Sequence, residues 1–352
     1  MTSGTASAKL RAEDLFSKPN HYLLEFAGPK GILVPMTRES YRQSIFTDPG
    51  RIVTAGSQTW TIDRVKLLNI FETLQIEQEP LRYVFHIANC GSTLFARAFD
   101  HIANCLVYRE PYPLRQLSVA YAAHAGDPHR IEGWTKTLRL VGGLLGRRFE
   151  DPQAILVKAN VPVNFVLPQV LGLHQGSSGI LLYSSLWTYL VSALKSAERR
   201  QWIGNVLNEM SAAINSIEAL ATVDLDALST ARAAGCVWLA QMHQFMGILD
   251  IRNELRTLDC EQFFEHPLET LLAACDFFGL DTTDDAVRKV IAGALFSEHA
   301  KFPGRRYDAA TRRADLEIQA QALSDEISEG MAWANGFLEP LRIPAVLPNA
   351  LL

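Results

Sequence analysis

The sequence predicts a three-layer α/β fold, in which a parallel sheet of about five strands is flanked by helices. Short apolar runs of strand length alternate with longer segments of helical periodicity, and turns rich in Gly, Pro or Ser separate them. These runs lie at 81–87, 106–108, 154–158, 180–183 and 255–259. Residues 1–80 carry short strand candidates instead, so we predict an N-terminal extension that packs on the α/β domain of 81–352.

Each element follows from a local pattern. The extension is predicted to contain a helix at 12–17, strands at 22–26, 31–35, 51–54 and 58–61, and a helix at 62–75. Apolar spacing predicts further helices that end near Ala103, cover 114–125, 131–145 and 163–173, begin near Ser184, fill 201–250, and close the chain at 312–337. A Pro-initiated helix after residue 266 should end at Gly279, a natural position for a left-handed cap.

Composition limits the classes of function. The chain has 352 residues, 48% of them hydrophobic, and a formal net charge of −5, which does not favour nucleic-acid binding. Its five cysteines are odd in number and include no C-x-x-C pair, so a zinc site or a disulfide framework is not expected. We find no signal peptide and no apolar run long enough for a membrane span, which indicates a cytoplasmic, bacterial-type protein. Such a chain could form a homo-oligomer.

The most informative stretch is the turn after the first core strand, Asn89-Cys90-Gly91-Ser92-Thr93-Leu94. A strand, a tight turn and a helix predict free backbone N–H groups at a helix N-terminus, where phosphate groups bind. We expect Ser92 and Thr93 to cap that helix. A Walker A loop does not fit, since His86 stands at its first glycine position and Ser92 at its lysine position.

This stretch resembles the phosphate loop of the sulfotransferases, which bind the 5′-phosphosulfate of PAPS (3′-phosphoadenosine 5′-phosphosulfate). Bacterial members often show C-G-S-T-L and then a second strand that ends in R-E-P, as Arg109-Glu110-Pro111 does here. The resemblance covers roughly residues 81–310. It implies a P-loop fold and transfer of a sulfuryl group from PAPS, which leaves PAP, to a small-molecule or carbohydrate acceptor. No metal is implied.

The resemblance also assigns roles to side chains. It implies that Glu110 is the general base and that Lys158 stabilises the bridging oxygen of the donor. Ser192 matches a serine that holds the 3′-phosphate, and a basic loop near residue 300 would close over that phosphate. The residues implied in donor binding are Asn89, Cys90, Gly91, Ser92, Thr93, Leu94, Ser192, Lys301, Arg305 and Arg306.

Three positions depart from the family pattern. Asn89 replaces a basic residue, Asn160 a catalytic histidine of the cytosolic type, and Ser184 an arginine of the 3′-phosphate clamp. Lys195, Arg199 or Arg200 could substitute for that arginine. These losses leave a catalytically impaired, sulfotransferase-like binding protein as one alternative.

A second alternative is an atypical P-loop nucleotide kinase, with Asp259 as a weak candidate for a magnesium-binding carboxylate. Two structural interpretations also stand beside the catalytic ones. Glu110 could instead form an ion pair with Arg97, Arg109 or Arg115, and His86, inside the first core strand, reads as a core histidine.

Overall fold

The computed structural model describes residues 10–75, 80–124 and 128–352. Its N-terminal part forms an antiparallel three-stranded sheet in the order β1-β2-β3, flanked by short helices. The elements are α1 (Ala12–Ser17), β1 (His21–Ala27), β2 (Lys30–Pro35), α2 (Arg38–Gln43), β3 (Trp60–Asp63) and α3 (Arg64–Leu74).

The N-terminal part differs from the sequence predictions in two places. Residues 38–43 form a helix that we did not predict, with the Thr37 side chain accepting the N–H of Ser40 at its start. The predicted strand at 51–54 is absent, because Asp48 folds the chain into a turn. Its carboxylate accepts the Gly50 N–H at 2.8 Å, and its carbonyl accepts the N–H of Ile52.

A five-stranded parallel sheet forms the centre of the molecule and confirms the predicted fold class. Its strands are β4 (Arg82–His86), β5 (Cys105–Arg109), β6 (Ala154–Lys158), β7 (Ser178–Tyr183) and β8 (Leu255–Asp259). The order β5-β6-β4-β7-β8 places β4 in the middle, where the connections change direction along the sheet. Ligands of open parallel sheets bind at the carboxyl ends of the strands beside such a switch point.

Helices cover both faces of this sheet, as predicted. They are α4 (Ser92–Ile102), α5 (Tyr112–His124), α6 (Pro128–Leu145), α7 (Leu167–Leu171), α8 (Leu186–Leu194), α9 (Ala197–Glu209), α10 (Ser211–Asn215), α11 (Thr230–Leu249), α12 (Cys260–Glu265), α13 (Pro267–Phe278), α14 (Asp284–Ile291), α15 (Ala294–Ser297), α16 (Ala309–Ala322) and α17 (Ser324–Leu338). Short 3₁₀ helices occupy Val161–Val166, Glu218–Leu220 and Leu225–Ala227, and a small hairpin pairs β9 (Glu298–His299) with β10 (Phe302–Arg306).

Several predicted helices are interrupted or shifted. The segment 163–173 is a 3₁₀ helix followed by α7, with Pro168 inside the first turn of α7. The C-terminal helix divides at Leu323, and the predicted end of α5 at Ala125 lies outside the described residues. Gly279 does end α13 in the left-handed conformation, with φ +61°.

A buried arginine fastens α2 and the loop after it to the core. Arg109, on β5, is fully buried, forms an ion pair with Asp100 of α4, and donates to the carbonyl of Ser44 at 2.9 Å. Beside it, the Thr47 N–H and hydroxyl both donate to the Arg109 carbonyl. The loop after α2 is therefore held directly against the end of β5. None of the helices in the described residues has both the length and the apolar composition that a membrane span requires.

Candidate active site

The turn after β4 has an unusual backbone. Ala88, Asn89 and Gly91 have φ values of +69°, +54° and +77°, all in the left-handed region. Neighbouring residues of this kind turn their N–H groups toward one side and form an anion-binding concavity. Gly91 is itself the N-cap of α4 without a side-chain cap, so the prediction that Ser92 and Thr93 cap this helix is wrong.

The close approach of another side chain explains why position 91 is a glycine. A Cβ atom at Gly91 would lie 2.6 Å from a ring carbon of Phe264, which belongs to α12. The guanidinium of Arg312 lies 3.9 Å from the centre of the same ring and also forms a salt bridge with Glu261. The turn is thus packed from outside by an aromatic ring and its cation.

Three polar side chains meet beside this turn at the carboxyl edge of the sheet. Lys158, at the end of β6, has a fully buried side chain whose Nζ contacts the carboxylate of Glu110 after β5. The same Nζ lies 2.9 Å from Nε2 of His86, at the end of β4, and Nε2 lies 3.6 Å from Oε1 of Glu110. The strand order brings these ends together, and the sequence alone places His86 only within a strand.

The hydrogen bonds of His86 fix the position of its proton. Its Nδ1 accepts the Ala88 N–H at 3.0 Å, so the neutral ring carries its hydrogen on Nε2. Burial, followed by the charge of Lys158, lowers the pKa of His86 to about 4, and the ring is therefore neutral near pH 7. Lys158 donates to the carboxylate of Glu110, whereas Nε2 of His86 lies 3.6 Å from that carboxylate, beyond hydrogen-bond distance.

The pKa values of Glu110 and Lys158 are also shifted in this environment. Burial alone would raise the pKa of Glu110, but Lys158 and His86 together lower it below its ordinary value. Burial lowers the pKa of Lys158, against the opposing effect of Glu110. Glu110 is consequently ionised at neutral pH, and its side chain remains 22% exposed, which leaves one approach open to a ligand.

Asn160 supports the backbone of Glu110. Glu110 itself is left-handed, with φ +56°, and donates its N–H to the Lys158 carbonyl at 2.7 Å. The Asn160 side chain donates to the Glu110 carbonyl at 3.4 Å, while its Oδ1 is buried and has no partner among the described residues. Asn160 therefore positions the predicted base, and its free oxygen can accept a hydrogen bond from a ligand.

A second group of cations surrounds the β9–β10 hairpin. Burial, and then the charges of Arg305, Lys301, Arg199 and Lys195, lower the pKa of His299 to about 4. Arg199, the first residue of this group on α9, donates to the carbonyl of Ser192 at 2.5 Å. Arg199 is therefore in contact with Ser192, the serine that the resemblance assigns to the 3′-phosphate.

The remaining basic candidates have partners elsewhere. Lys195 pairs with Asp315 at 2.6 Å, and Arg200 pairs with both oxygens of Glu326. Arg306 is 85% exposed and pairs with Asp308. Only Lys301, Arg305 and Arg199 of these cations lack a carboxylate partner within the part of the chain that the structure describes.

Glu110 does not form an ion pair with any of the three arginines that the sequence offered as partners. Arg109 pairs with Asp100 and Arg115 with Glu209, whereas Arg97 donates to the carbonyl of Ala300. The partner of Glu110 is Lys158 instead.

An aromatic ring of the N-terminal part lies at the same edge. The centre of the Phe46 ring is 5.3 Å from Nζ of Lys158, 5.6 Å from Nζ of Lys301 and 4.7 Å from the guanidinium carbon of Arg51. Phe46 is almost fully buried. Sequence reasoning assigned no chemistry to residues 1–80, because nothing in their pattern shows that this loop reaches Lys158.

Asp259, the carboxylate considered for a kinase, caps a helix. Its Oδ1 accepts the N–H of Glu261 at 2.9 Å at the start of α12. In the described residues no group of three or more His, Cys, Asp or Glu side chains could hold a metal ion.

No protein-family model and no curated protein matches the chain. Among solved structures it is similar to a sulfotransferase domain of the curacin biosynthetic pathway, with a TM-score of 0.41, 10% identity, and coverage of 70% of this chain and 99% of that one. Sulfotransferase STF1 of Mycobacterium tuberculosis gives 0.43 and 13%, with 73% of this chain and 81% of that one covered. A sulfotransferase of Alicyclobacillus acidocaldarius gives 0.36 and 13%, with 76% and 100% covered. All three are sulfotransferases by name, the class that the sequence motifs resemble. Likenesses at this level establish no activity, which has to be argued from the side chains of this chain.

Proposed function

We propose that the chain transfers a sulfuryl group from PAPS to a hydroxyl or amine of a small-molecule or carbohydrate acceptor. The observation that carries this proposal is the Lys158–Glu110 contact at the mouth of the left-handed turn. It places a carboxylate that can accept a proton and a cation that can stabilise a leaving group at one anion-binding edge.

The residues around the turn fit an anionic nucleotide. The turn offers backbone N–H groups from an uncapped helix, and Lys301, Arg305 and Arg199 offer positive charges without carboxylate partners among the described residues. We infer that the turn holds the 5′-phosphosulfate, and that Arg199 and Ser192 hold the 3′-phosphate. Arg forks suit phosphate oxygens, so Arg199 supplies the charge that Ser184 lacks.

The chain's own groups define the chemistry. Bound PAPS supplies an activated sulfuryl group and a phosphate leaving group. Glu110 is ionised at neutral pH and can accept the proton of an acceptor hydroxyl. While Lys158 contacts it, Glu110 is a weak base. When Lys158 turns toward an anionic oxygen of the leaving group, the pKa of Glu110 rises and its basicity increases. Sharing one lysine thus couples proton removal to stabilisation of the leaving group.

Calorimetric titration with PAP, AMP and ATP with Mg²⁺ tests the donor assignment. Only PAP carries a 3′-phosphate, so we expect it to bind more tightly than AMP. Arg199→Ala should lower the affinity for PAP by about tenfold, the size expected for one charged hydrogen bond, and leave the affinity for AMP unchanged. The matched control is Arg200→Ala, since Arg200 on the same helix is engaged by Glu326.

The other outcomes are equally informative. Binding of ATP with Mg²⁺ but not PAP would replace the proposal by a nucleotide kinase. Binding of no nucleotide would overturn the donor site. Binding of PAP without transfer from PAPS to any hydroxyl or amine acceptor would leave the binding protein as the better description.

A further inference from the structure

The loop between α2 and β3 reaches the candidate active site from outside the α/β core. It is fixed there by several hydrogen bonds, since Thr47 donates twice to the Arg109 carbonyl and the Tyr22 hydroxyl donates to the Thr47 carbonyl at 2.9 Å. Because Phe46 precedes Thr47 in the chain, these contacts also hold the Phe46 ring next to the strand end that carries Glu110. The loop is therefore a built wall of the site.

The charges around Phe46 are not balanced. Arg51, Lys301 and Lys158 all lie within 6 Å of the ring centre, where the ring face attracts cations. Glu110 is engaged by Lys158, and neither Arg51 nor Lys301 has an ion-pair partner in the described residues. Burial lowers the pKa of Lys301 to about 8. The charge of Glu110 opposes this shift, and the charges of the neighbouring cations Lys158, Arg199 and Arg51 add to it. Gathered cations of this kind favour an anion between them.

We propose that Arg51 and Lys301, which both lie beside the Phe46 ring, form the subsite for the terminal sulfuryl group of the donor, so that the N-terminal part completes the active site. This inference rests on the proposed function. It explains how the phosphate turn can carry the uncharged Asn89, because the missing charge comes from Arg51 instead. Arg51 is exposed at the rim, and its planar fork can contact two oxygens of a sulfuryl group.

PAPS and PAP differ only in the sulfuryl group, so their affinities isolate this subsite. Calorimetry without acceptor compares both nucleotides on the full chain, on Arg51→Ala and on Arg51→Lys. We expect Arg51→Ala to lower the affinity for PAPS by about tenfold, the size expected for one charge-assisted hydrogen bond. The affinity for PAP should change by less than about twofold. Arg51→Lys should restore part of the loss, since it keeps the charge without the fork.

Arg64→Ala is the matched control. Arg64 is an exposed arginine of the same N-terminal part, but it begins α3, which packs on α6. It should bind both nucleotides as the unchanged chain does. Equal weakening of PAP and PAPS in Arg51→Ala would reveal only a general electrostatic effect and overturn the subsite.

A second measurement uses no PAPS. In protein saturated with PAP, inorganic sulfate should occupy the empty sulfuryl position, and Arg51→Ala should weaken sulfate by about tenfold. Unchanged sulfate affinity in the variant would overturn the inference while PAP binding still supported the donor site. Absence of PAP binding to the unchanged chain would instead overturn the proposed function, and this inference with it.

Discussion

Lys158 and Glu110 form an ion pair whose partners differ in burial: the lysine side chain is fully buried, whereas the glutamate side chain is 22% exposed. The pair joins the ends of two neighbouring strands and links both to His86, whose Nε2 lies 2.9 Å from the lysine. Because burial differs between the partners, the cost of removing one depends on which one remains.

Glu110→Ala should destabilise the protein more than Lys158→Met. The first variant leaves a buried ammonium group without its carboxylate, a change that costs about 3 kcal/mol or more. The second leaves a carboxylate that water can reach, and the methionine fills the space of the lysine. The free energy of unfolding from denaturant titration measures both. Equal losses, or a larger loss for Lys158→Met, would contradict this account of burial.

Gly91→Ala should destabilise the turn for two reasons. The left-handed φ of +77° costs a residue with a Cβ about 1–2 kcal/mol, and that Cβ would approach the Phe264 ring to 2.6 Å. Phe264→Leu should relieve the second cost and not the first. Thermal unfolding of both single variants and the double variant separates the terms. If Phe264→Leu recovered nothing, the ring would not be what excludes a side chain at Gly91.

Binding of PAPS in the absence of acceptor should weaken as the pH rises through about 8, and binding of PAP should change much less. Lys301 carries its charge below that pKa and loses it above, and an anion favours the charged form. The 3′-phosphate of PAPS is already largely ionised at pH 7, since its second pKa is about 6, so Lys301 dominates the change between pH 7 and 9. Calorimetry should also detect proton uptake on binding near pH 8.5. Lys301→Arg, which keeps its charge throughout, should flatten the profile, and a profile that stays steep in this variant would assign the titration to another group.

Asp100→Ala should release α2 and the loop after it from the core. It leaves Arg109 fully buried without its carboxylate, at a cost of about 3–5 kcal/mol, and it also removes the partner of Arg38. Hydrogen exchange should rise in residues 38–47 before it rises in the central sheet. Asp284→Ala breaks the exposed pair with Arg288 and should change stability by less than about 0.5 kcal/mol. Uniform acceleration of exchange across the whole chain would argue against a local anchor.

Local sequence patterns predicted much of the α/β core. The strands at 154–158 and 255–259 have the predicted bounds, and Gly279 ends its helix as expected. Runs of buried apolar residues and a left-handed cap are encoded by neighbours in the chain, so a pattern can reveal them. The N-terminal part was predicted less well: Thr37 starts an unpredicted helix, and Asp48 makes a turn where a strand was expected. Side-chain bonds to the backbone decided both.

Patterns along the chain predicted the class of fold and the place of the glycine-containing turn, and the resemblance to sulfotransferases named Glu110 and Lys158 as candidates for its chemistry. How these groups are paired follows from the tertiary structure. It turned Arg109 into an anchor, joined His86 to Lys158, and carried Phe46 and Arg51 from an N-terminal loop to the edge of the sheet. The physical reason is that ion pairs and cation–ring contacts form between residues that are distant in the chain, 72 positions apart for His86 and Lys158. Their geometry depends on strand order, which local periodicity does not contain.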